Sequence, residues 1–199
     1  MIIRAALLGL TLLVADRAGR GELEFADPVP AVHMPMIWTA NLRSGIPAEN
    51  WLVGPPRGKA LRFAATEVSV PPTHETGQGE WPRGEPDPLK NFAVVAAQDY
   101  ASLDAFSKAI AKSDSSGETM LVVHGYNMTD GEAVYQLTQP VHDFEVPSSA
   151  VLFSWPSASK AIGYVYDRDS AVLARDPPED LIVELAKGST SRETSMGSS

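Results

Sequence analysis

The 199-residue chain contains no cysteine. That absence removes disulfides, thiol nucleophiles, zinc–thiolate centres and a lipidated cysteine in one step. Positive charge is also scarce: 16 Lys and Arg stand against 25 Asp and Glu, a net charge of -9 with a pI near 4.9. Such an acidic balance argues against a nucleic-acid partner, since binding to a phosphate backbone is driven by basic residues. Aromatic residues make up 8% of the chain. No run of apolar residues has the roughly 20 positions a membrane-spanning helix needs. What is present is globular in kind: 44% hydrophobic and 21% charged residues, enough for one domain with a core. Sixteen Pro and fifteen Gly predict many loops.

At the N-terminus, Arg4 precedes the apolar run Ala5–Ala15, AALLGLTLLVA, and the polar residues Asp16, Arg17 and Arg20 follow it. This is the pattern of a signal peptide or weak membrane anchor over residues 1–20, and it predicts a secreted, periplasmic or membrane-associated protein. Residues 21–90 read as an extended, strand-containing segment with Pro-rich loops. Strands are expected at 36–41 (MIWTAN) and 60–70 (ALRFAATEVSV), with loop chemistry at 43–59 and from Pro71 to Pro88.

The second half is more regular. Apolar runs at 91–97, 119–126 and 149–155 read as buried strands. Helices are expected from Leu103 to about Lys112, capped by Ser102, and from about Gly131 to Phe144, capped by Thr129 or Asp130. A further helix over 168–186 must accommodate Pro177 and Pro178. Strands without polar alternation, alternating with helices, predict an α/β fold with a mostly parallel sheet covered on both faces. Residues 91–186 are thus expected to form an α/β core. Residues 187–199, which hold a single apolar side chain at Met196, read as a solvated tail.

Three motifs could carry chemistry. The strand ending in His124-Gly125-Tyr126-Asn127 leaves backbone N–H groups free after a sharp turn, as one half of an oxyanion hole does. On these four residues alone, an ordinary strand-to-helix turn explains as much. Trp155-Pro156 forms a rigid turn at a strand end, suited to lining a pocket or to simple core packing. Ser195, in Glu193-Thr194-Ser195-Met196-Gly197, has part of a nucleophile elbow, but Glu193 replaces the small first residue. Of the remaining histidines, His142 lies on an expected helix and His74 in the Pro-rich loop. No spacing among the ligand-type residues predicts a metal site, and no motif calls for a cofactor.

Together the segments EVSVPPTHETGQGEWPRG (67–84), LVVHGYN (121–127) and VLFSWPS with GYVYDRDSA (151–171) resemble an uncharacterised bacterial α/β-hydrolase family of the esterase/lipase superfamily. The resemblance spans about Arg20 to Ala186. It implies a serine nucleophile acting on a small ester-like substrate, with Gly125, Tyr126 and Asn127 at the oxyanion hole and His124 and Trp155 beside it. Family members carry an A-H-S-M-G elbow, then a helix and the later Asp and His. Here only Ser195-Met196-Gly197 agrees, with Thr194 in place of the elbow His, and Arg17 stands where a lipoprotein of this kind has its lipidated cysteine. The expectation is therefore a C-terminally truncated hydrolase in which Ser195 is a degenerate nucleophile and the isolated chain has no meaningful esterase activity. The alternative is a non-catalytic remnant or cell-envelope binding protein.

Overall fold

The computed structural model describes residue 23 and residues 25–30, 32–43, 57–82, 84–113, 118–124, 128–156 and 179–187, with side chains from residue 60 onward in the second strand. The signal-like segment, the turn residues Gly125–Asn127 and Ser195 lie outside the described residues.

Five strands form one sheet: β1 (Met36–Arg43), β2 (Arg57–Ser69), β3 (Ala93–Tyr100), β4 (Thr119–Val123) and β5 (Ser149–Ser154). Their order across the sheet is β3-β2-β1-β5-β4. β1 pairs parallel with β5, and β4 pairs parallel with β5. β2 pairs antiparallel with both β1 and β3. Four strands therefore run one way and only β2 opposes them, so the sheet is mostly but not wholly parallel. β2 and β3 both extend beyond the stretches expected from the sequence: β2 starts at Arg57, within the expected loop, and β3 runs on to Tyr100. Cross-strand hydrogen bonding to β1 and β2 holds these polar ends in the sheet, a tertiary gain that local propensity cannot register.

Helix α1 (Leu103–Ser113) joins β3 to β4, and α2 (Asp130–Asp143) joins β4 to β5. A third helix, α3, spans 179–187. Ser102 caps α1 through its hydroxyl, which accepts from the Ala105 N–H at 3.2 Å. Thr129 caps α2 in a capping box. Its hydroxyl accepts the Glu132 N–H while the Glu132 carboxylate accepts the Thr129 N–H.

The alternation of side chains along each strand separates two cores. On one face Trp38, Phe63, Val151 and Phe153 pack with Phe106 and Ile110 of α1 and Leu181 and Leu185 of α3. On the other, Ile37, Val94 and Leu152 pack with Val134, Leu137 and Val141 of α2 and with Phe92. Every residue of β5 is buried because it sits between β1 and β4 and is covered on both faces. That is why its sequence, SAVLFS, shows no polar alternation.

Candidate functional site

The carboxyl ends of β1, β4 and β5 and the amino end of α2 meet at one place. In open α/β sheets, ligands bind outside the carboxyl ends of parallel strands. Here that position holds a buried polar network. His124 follows β4, Ser154 ends β5, Asp130 begins α2 and Asn41 lies near the end of β1.

The Ser154 hydroxyl donates to Asp130 Oδ1. The other oxygen, Oδ2, accepts from Asn41 Nδ2 at 2.6 Å. His124 Nε2 lies 3.1 Å from Ser154 Oγ and accepts the Trp155 backbone N–H at 3.2 Å. A backbone N–H can only donate, so Nε2 carries a lone pair. The single hydroxyl proton of Ser154 thus faces two acceptors, Asp130 and His124. Trp155 completes the lock: its indole N–H donates to the His124 carbonyl at 3.0 Å. The two rings stack 5.3 Å apart and 8° from parallel.

A serine, a histidine and an aspartate within hydrogen-bond reach suggest a catalytic triad, but the geometry is a different one. A triad carboxylate orients the histidine, and the histidine serves the serine. Here Asp130 bonds the serine itself. Ser154 is 1% exposed and His124 6%, so no substrate reaches either. The network instead ties His124, which follows β4, through Ser154 to Asp130, which begins α2.

Of the residues singled out from the sequence, His124 and Trp155 are brought together, in direct contact. Trp155 is core and lock at once rather than pocket lining. Gly125, Tyr126, Asn127 and Ser195 fall outside the described residues. Sequence reasoning missed Asn41 and Ser154 and gave Asp130 only a capping role. One signal was available: a serine at the end of an otherwise apolar buried run, VLFS, needs a buried partner.

A second polar cluster sits at the opposite end of the sheet, near the start of β1 and the end of α2. His74 Nδ1 lies 2.6 Å from Glu80 Oε2, and its Nε2 lies 2.7 Å from Asp143 Oδ1. Asp143 Oδ2 also accepts the Gly77 N–H at 2.9 Å. His33 Nδ1 and His142 Nδ1 are 2.8 Å apart. Burial disfavours a charged His74, but the hydrogen bonds and charges of Glu80 and Asp143 outweigh it and raise its pKa. Burial likewise pushes up the carboxyls of Glu80 and Asp143. Bonding to His74, and for Asp143 also to Gly77, reverses this and holds both below their ordinary values. His142 is lowered by burial and by the neighbouring His33 and His74.

No curated protein and no solved structure matches the chain. Residues 99–197 match the model of a family described as an alpha/beta hydrolase of unknown function. The matched stretch takes in β4, α2 and β5, which supply His124, Asp130 and Ser154 to the first network, while Asn41 on β1 lies outside it. Through this stretch, the chain belongs to that α/β-hydrolase family.

Proposed function

We propose that the chain is built for serine-type carboxylic-ester hydrolysis, with the turn after β4 supplying oxyanion donors. The observation that carries this reading is the buried lock of Asn41, His124, Asp130 and Ser154. It ties His124 and Asp130, described residues on either side of 125–127, together at the carboxyl ends of three strands. Backbone N–H groups held rigidly at such a turn stabilise the alkoxide of an acyl-transfer intermediate without reorganising, which is the main source of their catalytic effect. The Tyr126 N–H is the donor assigned here, and Ser195, inside the family match, is the nucleophile. We read the apolar run Ala5–Ala15 as the segment that takes the protein to the cell envelope.

Ser195 needs a histidine base. His124 Nε2 is engaged by Trp155 and Ser154. His33, His74 and His142 gather at the other end of the sheet. The isolated chain is therefore expected to hydrolyse p-nitrophenyl butyrate at the background rate. Turnover that disappears on Ser195→Ala would overturn that expectation. The oxyanion assignment has its own test, which does not need turnover. In amide NMR, a titration with a butylphosphonate monoester should move the Tyr126 and Asn127 N–H signals first, and Ser154→Ala should weaken the effect. Shifts scattered over the surface, or none, would sink the assignment.

A further inference from the structure

We propose that His74, His142 and Asp143 form a binding site for one divalent metal ion of the zinc class, at the end of the sheet away from the β4–α2 turn. One donor atom from each of the three lies within 4.8 Å of the other two. Donors around a tetrahedral zinc ion are about 3.3 Å apart, given metal–nitrogen bonds of about 2.0–2.1 Å. Binding therefore requires the donors to draw together by up to about 1.5 Å, and His142 is partly exposed. Two imidazoles and one carboxylate suit zinc and its neighbours, whereas calcium and magnesium prefer all-oxygen sets.

The surroundings are those of a metal centre as well. The His74 Nε2···Asp143 Oδ1 contact of 2.7 Å is a bond that a proton bridges. A metal ion replaces that proton, leaving His74 neutral with its remaining N–H on Nδ1. Glu80 Oε2 waits there at 2.6 Å. A histidine ligand that donates its second N–H to a carboxylate is the recurring outer arrangement of protein zinc sites, because it fixes the tautomer and orients the ring. Asp143 is held in the same way through its second oxygen by Gly77. His33, whose carbonyl accepts the Val70 N–H at 2.9 Å, positions the His142 ring through the Nδ1 contact. A cleft of about 620 Å³, lined by His33, His142, Met36 and Glu145 among others, opens on the His142 side of the cluster. The site joins three chain segments: the loop after β2, the stretch before β1 and the end of α2.

The test is a titration of the full 199-residue chain, prepared without a polyhistidine tag, with Zn²⁺ against a chromophoric chelator. Binding is expected to saturate at one ion per chain. His142→Ala should weaken it by roughly tenfold or more, and Glu80→Gln by roughly tenfold, the range found for outer carboxylates. Co²⁺ should give visible absorption that His142→Ala abolishes. Asp143→Asn also disturbs the Gly77 contact and could unfold the loop. His142→Ala leaves the His74 pairs intact and decides the matter alone. Absence of saturable binding, or saturable binding unchanged in His142→Ala, overturns the proposal.

Discussion

Ser154 illustrates how one side chain can hold a fold's working end together. Its hydroxyl is shared between Asp130 and His124 in a place closed to water. Ser154→Ala keeps the shape and removes the donor, which leaves buried acceptors behind. The expected cost is about 1–3 kcal/mol, read as a lower denaturant midpoint with an unchanged slope. His74 gives a second prediction at this scale, for metal-free protein. Its pKa is raised on folding, so its contribution is fully present below the ordinary histidine value and is lost as pH rises through the raised one. Glu80 and Asp143 are lowered, so theirs is present above the ordinary carboxylate values and is lost as pH falls through the depressed ones. The cluster is thus most stabilising between about pH 4.5 and 6.5. Comparing unfolding midpoints across pH should show the alkaline loss flattened in His74→Gln. An unchanged profile would mean that the cluster does not couple to folding.

The elements themselves respond to simpler forces. Helix α2 begins in a reciprocal cap between Thr129 and Glu132. Thr129→Ala should destabilise the protein by about 1 kcal/mol, measured by urea unfolding. Because α2 also carries Asp130, the same change should disturb the Tyr126 and Asn127 amide signals. Helix α1 is docked by Phe106, fully buried, with its ring 5.7 Å from Trp38, 5.1 Å from Phe63 and 5.9 Å from Tyr100. Phe106→Ala removes the centre of that aromatic group and should cost about 3–5 kcal/mol. The start of α1, the capped start of α2 and the burial of β5 were legible in the sequence. Each depends on signals within a few residues: a capping side chain followed by spaced apolar positions, or a run of apolar side chains. The far ends of β2 and β3 were not legible, because polar residues such as Gln98 and Asp99 are held in the sheet by pairing with Ala65 and Ala64 of a distant strand.

For the whole molecule, the two polar clusters mark opposite ends of one sheet, and they divide the labour. One ties the end of β5 and the residue after β4 to the start of α2, and the other ties the loop after β2 and the stretch before β1 to the end of α2. A ligand that binds only the folded state stabilises it by mass action. Zinc at 100 times its Kd should therefore raise the unfolding free energy by about 2.7 kcal/mol, followed as a shift in thermal midpoint. At the same zinc concentration His142→Ala, which weakens binding tenfold or more, should cut that stabilisation to about 1.4 kcal/mol or less. A shift undiminished in the variant would place the ion elsewhere.

The sequence by itself determined the α/β class and the succession of strand and helix through residues 91–156. Hydrophobic period and capping chemistry are local, and local patterns can be read along a chain. Only the tertiary structure decided that Asn41, Asp130 and Ser154 meet around His124, and that His74 reaches His142 and Asp143. These contacts span 24 to 89 residues of chain. They arise because sheet order places β1 beside β5 and because α2 runs back along the sheet, so that its two ends reach opposite ends of the strands. No spacing rule encodes such a meeting. It follows from which strands pair, and pairing is settled by packing both faces of the sheet at once.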